Sequence, residues 1–329
     1  MDDDDGPVPG AGEYDDIQNL PFNSRGNDFF LARSRPDATP VVLKHVPRSD
    51  EAIREVAALR HIQQNERHER HKRHERNGSI ISMFAVHTRP QLGDTTIALE
   101  YFPAGDLRAW MDAHKDAPLD SATVLSIVRG MLQAIATCHD CGVVHRDISP
   151  RNVLIRNDDT RKGIVSVALA DFGCSRLVTS TSPTRGNVGT LWYMAPEVLF
   201  GSREYAPQVD VFGVGCIAAE LLRKKPLFAG SGQLDQICRL VDKLGTPDAS
   251  TWPELATLSD WSLLEFPERA PKSPHDIFPD VDMNDPALAN LVDLILHHML
   301  TYNPAHRSSA NDCLSRLSRT VSDPVNQLN

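Results

Sequence analysis

The 329-residue sequence predicts an α+β fold in two lobes, a small β-rich N-terminal lobe carrying one main helix and a larger helical C-terminal lobe. Three observations carry this expectation. Period-two alternation marks the N-terminal part, helical periodicity dominates from about residue 107 onward, and a Phe102-Pro103-Ala104-Gly105 linker separates the two. A hydrophobic share of 41% suits a globular protein of one large or two coupled lobes.

Residues 1–13, rich in Asp, Gly and Pro, read as a flexible acidic tail. The first lobe is expected over 14–101. Within it, Val41-Val42-Leu43-Lys44-His45-Val46 is a strand that places Val42, Lys44 and Val46 on one face. Ser49-Asp50-Glu51 supplies an N-cap and acidic first turn for a helix bearing Ile53, Val56, Leu59 and Ile62, with Glu55 beside that stripe. A basic, His-rich insert at 65–77 has no apolar face and reads as a solvated helical extension or loop. Asp94 to Tyr101 forms a strand leading into a hinge at 102–105. The second lobe, 106–320, opens with Val124, Ile127, Val128, Met131, Leu132 and Ile135 at helical spacing. Asp210 to Leu222 is apolar almost all round and must be buried on every side. Residues 265–286, rich in Pro and Asp, read as an inserted surface loop before a closing helix with Leu291, Leu294, Ile295 and Leu300, and 321–329 as a tail.

A formal net charge of -10 argues against nucleic-acid binding, which neutralises phosphates with surplus Lys and Arg. The acidic start is the reverse of a secretory signal, and no apolar run approaches the roughly 20 residues that cross a bilayer. Neither nucleic acid nor membrane is therefore an expected partner. Six cysteines in a chain this long fit a reduced intracellular setting, cytoplasm or nucleus, better than a disulfide scaffold. Cys138 and Cys141 lack a second pair for a zinc site, so a packed helix end is the simpler reading.

The strings that carry chemistry are His145-Arg146-Asp147-Ile148-Ser149-Pro150-Arg151-Asn152, Asp171-Phe172-Gly173 and Ala195-Pro196-Glu197. In this order and at these separations they resemble those of eukaryotic protein kinases, each supplying a different part of phosphoryl transfer. The resemblance implies ATP and Mg²⁺. Asp147 would accept or orient the hydroxyl proton, Asn152 and Asp171 would supply oxygens to the metal, and Lys44, aimed by Glu55, would hold the α- and β-phosphates. Asp147 and Asp171 flank apolar runs, Val153-Leu154-Ile155 and Val167-Ala168-Leu169-Ala170, where a carboxylate without a cation is costly.

Further strings narrow the likeness to the cyclin-dependent kinases over about residues 14–320. Ala52-Ile53-Arg54-Glu55 resembles the end of their cyclin-binding helix motif, and Gly189-Thr190-Leu191-Trp192-Tyr193 resembles their substrate loop. Leu227-Phe228-Ala229-Gly230 and Leu244-Gly245-Thr246-Pro247-Asp248 with Trp252-Pro253 resemble their C-terminal lobe. The resemblance implies Leu99 as gatekeeper, backbone bonds from Glu100 and Phe102 to adenine, and Asp106 at the ribose. It also implies that Arg54, Arg146 and Arg176 surround a phosphorylated loop residue, with Thr184 first choice, then Ser182 and Thr181. Glu197 and Arg307 would form a buried pair, and Asp210 would hold the catalytic-loop backbone. Protein substrates, other kinases among them, and a cyclin-like partner are the implied partners.

The chain departs from that pattern at three points. The segment Leu20 to Phe30 retains only Gly26 of the expected glycine-rich loop, which should cost one or two charge-assisted bonds of roughly 1.5 to 3 kcal/mol each. For one lost bond this weakens ATP binding by roughly ten- to a hundredfold. Ser149 replaces a lysine usual in Ser/Thr kinases, a charge that Arg151 can supply from two residues on. Met194 replaces an arginine associated with proline after the target residue. A degenerate glycine loop also resembles the fungal single-chain kinases that activate cyclin-dependent kinases. The alternative to an active enzyme is a pseudokinase scaffold with weak nucleotide binding.

Overall fold

A computed structural model of the chain describes residues 8–24, 26–46, 50–70, 79–89, 93–116, 119–159, 164–178, 189–202, 204 and 206–319. Alternating apolar residues in the first third build a five-stranded antiparallel sheet: β1 (Tyr14–Ser24), β2 (Asn27–Ser34), β3 (Pro40–Val46), β4 (Met83–Arg89) and β5 (Asp94–Glu100), ordered β1-β2-β3-β5-β4. One helix interrupts them, α1 (Asp50–Arg70). On β3 the alternation sends Val41 and Leu43 to one face, where they join Ala32 and Ala98, and leaves Lys44 on the other.

The outer face is covered by a segment expected to be loose. Residues 8–13 were assigned to the acidic tail, yet Val8 is completely buried and Ala11 and Tyr14 pack with it over Val41 and Leu43. The apolar residues among the acids explain the difference, because they close a cluster that the strands leave open. Tyr14 Oη also lies 2.8 Å from His87 Nε2. Residues 1–7 lie outside the described part, as does the expected helix cap Ser49.

Helix α1 buries Ala52, Glu55, Ala58, Leu59 and Ile62, a row at i, i+3, i+6, i+7 and i+10. Ile53, assigned to that stripe, is instead 70% exposed. It lies about 100° of helix rotation from Ala52 and so turns away from the core. The helix extends through the start of the His-rich insert, whose residues 71–77 are not among those described.

The second lobe is built on helices α2 (Leu107–Ala113) and α3 (Ser121–Asp140), a short β6 (Val143–Val144), the hairpin β7 (Val153–Asp159) and β8 (Ile164–Leu169), and β9 (Arg176–Leu177). Helices α4 (Pro196–Leu199), α5 (Gln208–Arg223), α6 (Gln233–Leu244), α7 (Pro274–Ile277), α8 (Pro286–Asp293) and α9 (Ala310–Arg319) follow. The expected apolar row on α3 is buried in full. At 20 residues and mean hydropathy 1.3, α3 has the length and composition of a membrane span, contrary to the sequence reading, but it packs against β8, α5 and α9 in the core. Cys138 on it is fully buried, and that burial pushes its thiol well above the ordinary value.

Helix α5 is buried on all sides, as its composition predicts, and two glycines permit the approach. A Cβ on Gly213 would lie 2.7 Å from Ile148 Cβ, and one on Gly215 2.8 Å from Met299 Cβ. Residues 265–286 run mostly exposed, with one correction to the surface-loop reading. Ile277 and Phe278 are buried, and Ser273 caps α7 by accepting from the Asp276 amide. Helix α8 continues into a π-helical turn, Leu294–Met299.

Arg307 donates to both oxygens of Glu197 on α4 at 2.8 and 3.0 Å, and to the carbonyls of Gln208, Thr301 and Tyr302. Its guanidinium carbon lies 5.1 Å from the Phe212 ring centroid. Removing one member of such a pair strands a buried charge. Arg307→Ala is therefore expected to lower unfolding free energy by about 3–5 kcal/mol, measured by urea titration.

Candidate active site

Lys44 sits in the middle of β3, opposite Phe29 on β2 and Ile97 on β5. Its side chain is 5% exposed. The ammonium donates to Glu55 Oε2 at 2.7 Å and to Asp171 Oδ1 at 2.8 Å, joining β3 to α1 and to the turn after β8. Burial alone would lower the lysine's pKa, but the Glu55 and Asp171 charges and bonds reverse this and hold it above its ordinary value. Lys44 is thus a cation throughout the physiological range. Burial pushes the Glu55 carboxyl up, Lys44 pulls it down, and the first effect prevails.

Asp171 adopts a left-handed backbone at φ 61° while Phe172 beside it is fully buried, its ring 4.8 Å from that of His145. The carboxylate bonds to Lys44 while the phenyl ring next to it is buried. The cost of a left-handed non-glycine residue is offset by the Lys44 bond and the Phe172 burial.

The loop from His145 to Asn152 is held from beneath. Asp210 Oδ2 accepts from the His145 amide at 2.8 Å and Oδ1 from the Arg146 amide at 2.7 Å, while His139 Nε2 lies 2.9 Å from Oδ2. Arg146 is left-handed at φ 68°, a conformation this double bond maintains. Burial would raise the Asp210 carboxyl, but the bond and charge of His139, with the His145 contribution, hold it below the ordinary carboxylate range. The His145 ring receives the Asp147 amide at Nδ1 (3.3 Å) and lies 3.0 Å through Nε2 from the Ala170 carbonyl, which assigns the proton to Nε2. Asn152 Nδ2 donates to the Asp147 carbonyl at 2.8 Å, so its amide oxygen is the group offered on the other side.

Those contacts bring Lys44, Glu55, Asp147, Asn152 and Asp171 into one cleft. A carboxylate and an amide oxygen suit a hard cation such as Mg²⁺, which binds through few protein ligands and completes its shell with water and phosphate.

The remaining predicted residues fall as follows. Leu99 is buried at the end of β5, and Phe102 is buried in the connection that follows. Glu100 is bound by Arg156, and Asp106 caps α2 through Oδ1, accepting from the Ala109 amide at 2.8 Å. Ser149 is buried whereas Arg151 is exposed. Arg54 and Arg146 each spend their Nε on a backbone carbonyl, Gly173 at 2.9 Å and Cys174 at 2.6 Å, and Arg176 lies two residues beyond in β9. They converge on the stretch after Asp171, but with carbonyl partners that the sequence reading lacked. Thr181, Ser182 and Thr184 lie outside the described residues.

Sequence reasoning missed Thr190. Its amide and hydroxyl both donate to Asp147 Oδ1 at 2.8 Å, fixing that carboxylate from the substrate-loop side. Gly189 before it has φ 118°, and a Cβ there would meet the Arg146 carbonyl at 2.7 Å. The adjacent glycine was the available signal. Also missed was a triad in which the buried Glu220 accepts from Tyr193 Oη at 2.7 Å and from the half-buried Arg108 Nη2 at 2.5 Å, tying the Leu191–Tyr193 turn to α2 and α5.

Residues 27–317 match the protein kinase domain family. Among curated relatives, Cyclin-dependent kinase 20 of Homo sapiens is 35% identical over 268 residues, covering 80% of this chain and 69% of the relative. The Mus musculus protein of that name is 34% identical over 270 residues and the Danio rerio one 32% over 267, each with the same two coverages.

Because its pKa is depressed on folding, Asp210 contributes stability that is complete above 3.8, the ordinary carboxyl value, and is lost as pH falls through the lower folded value. Asp210→Asn should therefore cost roughly 1.5–3 kcal/mol at neutral pH, and the gap to the wild type should narrow in acid. Denaturation midpoints of both proteins across that range would test this.

Proposed function

The chain belongs to the protein kinase family, in its cyclin-dependent-kinase-like branch, and from that premise we propose that it transfers the γ-phosphate of Mg-ATP to Ser/Thr hydroxyls of protein substrates, cell-cycle kinases among them. One observation carries the reading: Lys44 is held between Glu55 and Asp171, so the cation that would meet phosphate and the carboxylate that would meet metal are already aligned. In this reading Asn152 and Asp171 would hold Mg²⁺, which would supply positive charge against the negative charge of the phosphates. Lys44 holds the α- and β-phosphates, Glu55 aims it, and the backbones of Glu100 and Phe102 hold adenine.

Asp147 orients the substrate hydroxyl and takes its proton, with Thr190 setting the carboxylate's direction. Ser149 is buried and carries no charge, so the exposed Arg151 is the residue assigned to the transferring phosphoryl group. With Gly26 alone in the β1–β2 turn, much of the phosphate charge falls to Lys44 and the metal. Met194, where the family carries an arginine, is buried in the hydrophobic core and supplies no charge toward a residue after the target.

A cyclin-like partner is supported by an apolar trio. Ile53 on α1, Phe84 on β4 and Val178 after β9 are 70%, 55% and 57% exposed, and α1 packs against both β4 and β9. A contiguous exposed apolar patch marks a docking site, and elements that pack together are where such a patch can form. The relatives carry that dependence in their name.

Asp147→Asn should lower phosphate transfer by roughly 10²–10⁴-fold in a radiolabelled ATP assay against activation-loop proteins, with an unchanged unfolding midpoint. Arg151→Ala should lower it less. Equal transfer by wild type and Asp147→Asn would reject the enzyme in favour of a scaffold. Phosphopeptide mapping of the active protein should place phosphate within 179–187, Thr184 first, and its absence there would remove the arginine-anchor mechanism.

A further inference from the structure

Arg156 is absorbed by none of the roles above. It lies on β7 four residues beyond Asn152, at a break in the hairpin register: Ile155 faces Val167 and Asn157 faces Ser166, so Arg156 is the extra residue of a β-bulge. Bulges beside functional sites re-aim a side chain. This one sends the guanidinium across the cleft to Glu100, where Nη1 and Nη2 donate to both carboxylate oxygens, the second at 3.2 Å. The same guanidinium stacks on Phe102, its carbon 4.8 Å from the ring centroid.

Glu100 is held on its other side as well. Its amide donates to the Ser82 carbonyl at 2.9 Å, and its Oε2 accepts from the Ser82 amide at 3.3 Å. Gly105, at φ 75°, closes the connection by donating to the Phe102 carbonyl at 3.1 Å, and its own carbonyl accepts from the Ile155 amide at 2.9 Å. The hinge is therefore fastened to β7 twice, once through backbone and once through Arg156.

We propose that Arg156 is a positioning residue for the adenine end of the nucleotide, acting through Glu100 and Phe102, an inference that rests on the kinase reading above. A planar fork that both chelates a carboxylate and stacks on a ring fixes the hinge in two directions, which a lysine cannot do. It also sets the span between the hinge and Asn152, which immediately precedes the same hairpin arm.

Arg156→Ala should raise KM for ATP about fivefold or more while kcat stays within about twofold, and adenosine should lose affinity by the same factor as ATP. Arg156→Lys should recover little of the loss. Glu100→Gln, which keeps the side chain's shape, should move KM in the same direction and covers the case in which Arg156→Ala fails to fold. In nucleotide-free protein, amide hydrogen exchange at residues 100–105 should quicken in Arg156→Ala at an unchanged global unfolding midpoint. A KM within about twofold of wild type together with unchanged exchange would overturn the proposal. So would a loss of ATP affinity without loss of adenosine affinity, which would place the arginine's action on the phosphates. If wild type transfers no phosphate, the kinase reading fails, and the exchange comparison still decides the brace.

Discussion

A single buried ammonium holds the cleft together. Lys44 bonds to carboxylates 11 and 127 residues away in sequence, and each bond requires a different part of the fold to be finished. The strand must alternate so that the lysine faces inward. The helix must dock so that Glu55 arrives, and Asp171 must adopt its left-handed twist. A charge taken out of water costs several kcal/mol unless paired, so an arrangement lacking either carboxylate is penalised and the complete one is selected. The cleft is thus assembled by electrostatics before any ligand enters it.

A second constraint works from below. Asp210, buried in α5, spends both oxygens on consecutive amides of the loop that carries Asp147. Thr190 grips the Asp147 carboxylate from the opposite side, and Gly189 permits the close backbone approach. The loop has little regular structure of its own, yet its first three residues are held by side chains from α5 and by Thr190. Rigid support on two sides is what lets an irregular stretch hold a reactive group in one place.

Much of this was legible in the amino-acid order. Alternation located β3, apolar periodicity located α3, an almost wholly apolar run located α5, and two of the motif strings located Asp147, Asn152 and Asp171, because each of these signals is local. What escaped was set by tertiary context. Ile53 looked like a core residue because helical spacing cannot say which side of a short row faces inward. Val8 and Ala11 looked like tail because acids and prolines surround them, while the cluster they complete is assembled from distant strands. Thr190 and Arg156 are ordinary residue types whose partners lie 43 and 56 positions away, and no spacing rule reaches that far. The carbonyl partners of Arg54 and Arg146 were invisible for a related reason, since backbone acceptors leave no trace in residue identity.

The packing of residues 8–14 bears on how the protein is handled. A recombinant version begun at the first strand would strip Val8 and Ala11 from Val41, Leu43 and Ala98, baring an oily plateau on top of the sheet. Molecules so shortened would tend to stick to one another through that plateau while their clefts remained intact. A fusion partner is better joined ahead of Val8, leaving this small lid in place.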